Sequence, residues 1–107
     1  MAAWIVGGAA LLGLRWLLKG KKQIDLHGLH AQEAKEKVKE FLEKAEKDYK
    51  SWITRGERYV YIITGRGKHS ENHYPVLKNV ATDILNESGF SYKVQAYGGM
   101  LEVDLSR

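Results

Sequence analysis

Apolar residues follow two different periods along this chain, and the order in which the periods alternate constrains the fold more than any other feature. A helical period runs over residues 31–54, and a second one follows Pro75 and ends at Gly89. Strand-like runs occupy residues 23–27, 59–64, 91–97 and 100–105. With right-handed crossovers, this β-α-β-α-β-β order predicts an α/β chain of the two-layer α+β kind. Both helices would pack on one face of a four-stranded mixed sheet.

The first helical segment has one apolar side and one charged side. Its apolar stripe consists of Ala34, Val38, Phe41, Leu42, Ala45, Tyr49, Trp52 and Ile53. Lys and Glu alternate on the other side, which is typical of a solvated helix surface with ion pairs four residues apart. We expect this helix to end at Gly56. The second helical segment has a similar stripe, made of Leu77, Val80, Ala81, Ile84 and Leu85.

The excess of basic residues is confined to residues 1–22. Of the 17 Lys and Arg residues in the chain, four lie there without any acidic residue, namely Arg15, Lys19, Lys21 and Lys22. Residues 23–107 then hold 13 basic and 13 acidic side chains and are neutral overall. A nucleic-acid interpretation therefore depends on local features and not on bulk charge. The chain has no Cys, which excludes a disulfide scaffold, a thiolate zinc site and a cysteine nucleophile.

Residues 1–22 form an apolar leader with a basic flank, separate from a domain at residues 23–107. Residues 2–18 carry Arg15 as their only charge, and apolar residues fall all around a helical wheel. As a helix this run is roughly 25 Å long, a little less than a hydrocarbon core of about 30 Å. Three interpretations stay open: a membrane anchor that puts the domain on the cytoplasmic side, a helix that packs on protein, or a segment added to the natural protein. A cleaved secretory signal fits poorly, because Lys follows the apolar run.

Two segments with chemically competent side chains are expected to meet at the carboxyl ends of the first two strands, where ligands of α/β sheets collect. Asp25 and His27 would share one face of the first strand, pointing to the open side of the sheet or to its rim. The second segment follows the next strand in a loop of about ten residues, longer than such connections usually are. Its candidate phosphate-binding residues are Thr64, Gly65, Arg66, Gly67, Lys68 and His69.

The glycines of this loop allow the backbone N–H groups to turn toward an anion, and Arg66 and Lys68 add positive charge. These features favour a phosphate, although a tight turn with two solvated cations explains the same residues. His27 could act as a general acid or base near neutral pH, with Asp25 orienting it. The alternative is that both side chains only solvate an exposed strand.

Other candidate residues indicate a site less clearly. The four histidines form two pairs, His27 with His30 and His69 with His73, but this spacing is a weak signal for a metal site and few carboxylates lie nearby in the sequence. We therefore expect neither a metal ion nor another cofactor. Tyr residues could supply stacking surfaces for bases. The alternation of those in the second strand is equally well explained by sheet packing, which we favour.

Three motifs in order resemble the small MutS-related (Smr) domain family. Residues 24–30 read IDLHGLH and resemble the LDLHG opening of that domain, with Ile24 as a conservative departure. Residues 64–70 read TGRGKHS and resemble its TGxG motif. Residues 99–103 read GMLEV and resemble its closing G-x-L-x-V strand. The resemblance covers residues 23–107, which is nearly the whole domain.

The resemblance implies a two-layer fold similar to the C-terminal domain of a bacterial translation initiation factor. It also implies a nucleic-acid endonuclease or binding module, since some family members nick DNA and others cleave RNA, including messenger RNA on stalled ribosomes. By motif matching, Asp25 and His27 carry over as the acid/base pair, and Gly65, Arg66 and Gly67 as the phosphate-binding loop. We therefore predict a metal-independent endonuclease that cleaves RNA, with nicking of DNA as a variant of this activity. The alternatives are a non-catalytic module that binds RNA, DNA or the ribosome, and a membrane-tethered domain for a protein partner.

Overall fold

The fold has the predicted order of elements. The computed structural model describes residues 21–65, 76–95 and 99–107. Strand β1 is followed by helix α1, β2, helix α2, β3 and β4. Their bounds are, in that order, Gln23–Asp25, Ala31–Lys50, Tyr59–Ile63, Val76–Ser88, Ser91–Gln95 and Met100–Asp104. The β-α-β-α-β-β order is therefore confirmed.

The four strands form one mixed sheet in the order β1-β2-β4-β3. Strand β1 runs parallel to β2, whereas β4 is antiparallel to both of its neighbours. Asp25 lies opposite Ile63 in the parallel pair, and Ile63 lies opposite Met100 in the antiparallel pair. The carboxyl ends of β1 and β2 consequently lie at the same edge of the sheet, next to the amino end of β4.

Both helices pack on one face of the sheet. Strand β2 turns Val60 and Ile62 toward them, and β4 turns Leu101 and Val103 to the same side, all fully buried. The helices meet these residues with small and branched side chains, namely Ala34, Val38, Leu42, Ala45, Ala81, Ile84 and Leu85. Leu77 and Val80 are partly buried against the same core, so the predicted stripe of the second helix is confirmed. This arrangement is the predicted two-layer α+β sandwich.

The opposite face of the sheet carries polar groups. The Tyr61 hydroxyl donates to Glu102 Oε2 at 3.1 Å, in agreement with a packing role for this tyrosine. Burial, with that hydrogen bond as the second cause, raises the pKa of Tyr61 above its ordinary value. At one end of this face, Arg58 makes two 3.0 Å bonds to the Asp104 carboxylate. The Arg58 guanidinium also lies 5.2 Å from the centre of the Tyr59 ring.

The first helix ends earlier than predicted, at Lys50 instead of residue 54. The backbone of Ser51 is extended, and the Ser51 hydroxyl accepts the N–H groups of Ile53 and Thr54, both at 3.2 Å. Such a side-chain bond competes with the helical backbone pattern and favours a turn. Trp52 and Ile53 are 80% and 74% exposed, so the prediction that they extend the buried stripe was wrong.

Gly56 does not end the helix, because it lies six residues beyond Lys50. Its N–H donates to the carbonyl of Asp48 at 2.9 Å, which brings the chain back against the last helical turn. A Cβ atom on Gly56 would lie 2.8 Å from backbone atoms of Asp48 and Tyr49. The glycine is needed for this close approach of two backbone segments.

The first strand is also shorter than predicted, ending at Asp25, and a turn follows at residues 27–28. Pro75, the Gly98 between the third and fourth predicted strands, and the apolar run at residues 2–18 lie outside the described residues. Among the described helices, none has the length and apolarity needed to cross a membrane.

Candidate functional site

His27 lies on a turn at the carboxyl end of β1. The N–H of Leu26 still donates to the Ile63 carbonyl at 2.8 Å, and the Leu26 side chain is fully buried, so the chain stays attached to β2 up to this residue. Gly28 then adopts a φ of 84°, and the N–H of Leu29 closes the turn on the Leu26 carbonyl at 3.0 Å. This left-handed backbone favours glycine. His27 is thereby displayed on the surface next to a buried anchor.

Asp25 contacts the backbone of His27. The N–H of His27 donates to Asp25 Oδ1 at 2.9 Å, which is the hydrogen bond of an Asx turn. The prediction that the two side chains share a strand face is therefore wrong for His27, because the strand ends at Asp25. Asp25 itself is the last residue of β1 and lies opposite Ile63. Its carboxylate positions His27 through the turn.

Gly65 brings the second predicted segment next to His27. Its φ is 76°, and a Cβ atom built on it would lie 3.8 Å from His27 Cδ2. This is ordinary van der Waals distance, so the imidazole ring lies directly beside the backbone of the loop. The prediction that the ends of β1 and β2 bring His27 and the start of the loop together holds for these two residues.

The backbone N–H groups of Thr64 and Gly65 are already bonded. Both donate to the carbonyl of Gly99, at 3.0 Å and 3.2 Å. Thr64 is buried, and its hydroxyl donates to the Gly65 carbonyl at 3.0 Å. Neither residue therefore has its own N–H available to an anion. They form the stem of the predicted phosphate-binding loop, while Arg66, Gly67, Lys68 and His69 lie outside the described residues.

Gly99 holds the stem of the loop, and the sequence pattern does not predict this role. In the sequence Gly99 opens the closing G-x-L-x-V motif, which predicts no link to the loop after β2. Its position follows from the register, since β4 begins with Met100 opposite Ile63 and Gly99 consequently comes opposite Thr64. To predict this contact from the sequence, one would need the register of β2 against β4.

The amino end of helix α1 lies just behind the His27 turn. Glu33 in its first turn accepts the N–H of His30 at 3.4 Å, and the Ala34 N–H donates to the His30 carbonyl at 2.9 Å. An acidic side chain at this position stabilises the start of a helix by interacting with its dipole. The helix thereby holds the end of the turn in place.

No group of three or more His, Asp or Glu side chains able to hold a metal ion is found among the residues that the structure describes. His69 and His73, one of the two histidine pairs, lie outside them. The expectation that the site needs neither metal nor cofactor stays a prediction.

Comparisons with known proteins agree on one kind of domain. The sequence profile of the Smr domain matches residues 24–99. An Smr domain-containing protein of Schizosaccharomyces pombe is 34% identical over 83 residues, which are 78% of this chain and 37% of that protein. NEDD4-binding protein 2 of Homo sapiens is 36% identical over 69 residues, 64% of this chain and 4% of that protein. The chain thus spans well under half of either relative.

A solved structure shows the same similarity in three dimensions. The solution structure of the B3BP Smr domain superposes with a TM-score of 0.68 at 32% sequence identity. The similarity covers 89% of this chain and 88% of the other.

Proposed function

Because this chain belongs to the Smr domain family, known for nucleic-acid binding and nuclease-like function, we propose that it is an RNA endonuclease whose reaction needs no metal ion. The observation that carries this proposal is the contact between the His27 ring and the backbone of Gly65. A titratable imidazole lies beside the stem of a loop that continues with two cationic residues, Arg66 and Lys68. A phosphodiester held by that loop would come within reach of His27.

The chemistry suits RNA because RNA contains its own nucleophile. In the proposed reaction, His27 takes the proton of a 2′-hydroxyl, and this oxygen attacks the neighbouring phosphorus. The bond from phosphorus to the 5′-oxygen breaks, and the leaving oxygen takes a proton from water. The hydroxide so formed takes up the proton that His27 holds, which restores the neutral imidazole. The products are a 2′,3′-cyclic phosphate and a 5′-hydroxyl end. DNA lacks the 2′-hydroxyl and cannot follow this route.

The neighbours of His27 support this role by fixing its position. Asp25 holds the backbone of His27, and Leu26 anchors the same turn in the core. Two bonds to the Gly99 carbonyl hold the stem of the loop on the other side. Acid–base catalysis requires the proton acceptor within hydrogen-bond reach of the hydroxyl, so a rigid frame on both sides favours the reaction.

The test compares the full chain with its His27→Ala variant on labelled single-stranded RNA and on DNA of matched sequence, in EDTA. We expect the unmodified chain to cleave RNA alone and to leave cyclic phosphate ends. His27→Ala should lose at least about a hundredfold in rate, the usual contribution of a general acid or base, and keep its affinity for RNA. His30→Ala is the matched control, since His30 is also exposed and lies beyond the turn.

Other results would assign a different function. RNA binding without cleavage by the unmodified chain would favour a non-catalytic nucleic-acid-binding module. Equal cleavage of DNA would exclude attack by the 2′-hydroxyl. Full activity of His27→Ala would exclude His27 as the acid or base.

A further inference from the structure

Two large apolar side chains are exposed just after the carboxyl end of α1, whereas His27 precedes its amino end. Trp52 and Ile53 lie on the turn that follows α1 and are mostly exposed. This turn is well ordered by hydrogen bonds. Besides the two bonds to the Ser51 hydroxyl, the Thr54 hydroxyl donates to the Asp48 carbonyl at 2.8 Å. Both side chains are therefore exposed on a turn whose backbone is held by hydrogen bonds.

The residues that lead into β1 lie at this same end of the domain. Lys22, immediately before β1, makes a 2.8 Å ion pair with Asp48, whose carbonyl also holds the turn. The pair lowers the pKa of Asp48, chiefly through the hydrogen bond from Lys22. The apolar run of residues 2–18 ends four residues before Lys22. A fully extended chain of that length spans only about 14 Å, so the covalent connection limits how far the end of the apolar run can lie from Lys22.

The composition of residues 2–18 limits which environment can cover both this apolar run and the exposed Trp52 and Ile53. The run carries one charge, Arg15, and apolar residues on all sides of a helical wheel. If it is helical, a run of this composition needs apolar surroundings on every side. Trp52 and Ile53 cover only a small part of such a surface. A lipid bilayer can cover the whole of it, and can receive the two exposed side chains at its surface.

The charges around the turn fit an anionic lipid surface. Lys47 and Lys50 lie in the last turn of α1, and Arg55 Nε donates to the Trp52 carbonyl at 3.3 Å. The nearest acids on the helix are paired, Asp48 with Lys22, and Glu46 with both Arg107 and Lys50. Lys47 and Arg55 are the cations of this surface that these ion pairs do not involve. Trp at the level of the lipid headgroups, flanked by Lys and Arg, is the usual composition of a membrane interface.

We propose that the turn carrying Trp52 and Ile53 is a membrane-contact surface for a bilayer containing anionic phospholipid. Residues 2–18 insert beside it, and the basic flank keeps the domain on the cytoplasmic side. The 20 residues of α1 separate this surface from His27, a length of about 30 Å. The nucleic-acid site would then face away from the membrane. This inference does not depend on the proposed nuclease activity.

The absence of Cys allows a direct test with a single spin label on the full chain. Ile53→Cys places the label on the turn, and Val94→Cys places it on an exposed strand residue as the matched control. Both variants are mixed with vesicles of phosphatidylcholine and phosphatidylglycerol. We expect the label at position 53 to gain collisions with dissolved oxygen and to lose collisions with a water-soluble nickel chelate. The label at position 94 should not change. Far-ultraviolet circular dichroism checks that both variants fold.

Each other outcome would overturn the proposal. A label at position 53 that is already shielded without vesicles would show that residues 2–18 cover the turn. Shielding that rises with protein concentration alone would identify a second copy as the partner. A label that stays in water while the chain binds vesicles would leave the leader as the only membrane contact. Failure of the full chain to bind vesicles, or an equal change at both positions, would also exclude it.

Discussion

The backbone N–H of His27 donates to the carboxylate of Asp25 at 2.9 Å. The residue that the family motif pairs with His27 therefore acts on the backbone that carries the imidazole. A carboxylate in an Asx turn restricts the position of the following residues. The two members of the motif are thus coupled through the turn, and this coupling can be tested by changing the acceptor and the charge separately.

Asp25→Ala should lower the rate constant of RNA cleavage by roughly tenfold to a hundredfold with little change in KM, because a displaced catalytic group affects the chemical step. Asp25→Asn keeps an oxygen that can accept the His27 N–H and should lose less activity. Steady-state kinetics of both variants, with the His27 amide resonance followed by NMR, checks this. Equal losses in the two variants would show that the negative charge matters and the backbone bond does not.

Gly56→Ala should destabilise the domain more than Gly28→Ala. At Gly28 the φ of 84° is unfavourable for alanine, but a Cβ atom would meet nothing within 4 Å, so the cost is about 1 kcal/mol. At Gly56 a Cβ atom would lie 2.8 Å from two backbone atoms, and the turn must move away from the helix. Urea unfolding of the two variants measures the difference. The reverse order of stabilities would contradict the close approach at Gly56.

Thr64→Val should weaken the stem of the loop. It removes the hydroxyl that donates to the Gly65 carbonyl, and the expected cost is about 1 kcal/mol in the free energy of unfolding. Thr64→Ser keeps the hydroxyl and serves as the control. We expect the valine variant to raise KM for RNA more than it lowers kcat, because the loop is proposed to hold the phosphate. An unchanged KM would show that the stem of the loop does not contribute to substrate binding.

Asp104 should make stability depend on pH in the acid range. The hydrogen bond from Arg58, followed by those from Ser106, holds the pKa of Asp104 far below its ordinary value of 3.8. The depressed pKa means that this contribution to stability is complete above pH 3.8 and is lost as the pH falls below it. Arg58→Gln should therefore reduce stability at neutral pH and have little effect in strong acid. Urea unfolding at several pH values, with Arg55→Gln as the control, tests this. The prediction would be contradicted if the free energies of unfolding of Arg58→Gln and the unmodified chain differed by the same amount at every pH.

Much of the fold could be predicted because burial follows the period of the apolar residues. The order of elements, the single mixed sheet and the two helices on one face all follow from this rule. The end of α1 could not be predicted in the same way. Trp52 and Ile53 continue the helical spacing, but the Ser51 hydroxyl bonds to the next backbone N–H groups and turns the chain. Spacing alone does not distinguish a buried stripe from two exposed residues that extend it.

The candidate site could be predicted in position but not in detail. Ligands collect at the carboxyl ends of strands, and this rule correctly brings His27 next to Gly65. The bond from Asp25 to the His27 backbone depends on the turn at Gly28, whose φ is not evident from a strand-like alternation. The role of Gly99 depends on the register of β2 and β4, and a shift of one residue would place another carbonyl at Thr64.

The carbonyl oxygen of Gly99 receives two N–H groups from the loop that follows β2, and it belongs to the chain that leads into β4. This one atom couples the two segments mechanically. A substitution that shifts the start of β4 would therefore act on Thr64 and Gly65 together, and through Gly65 on the backbone beside the His27 ring.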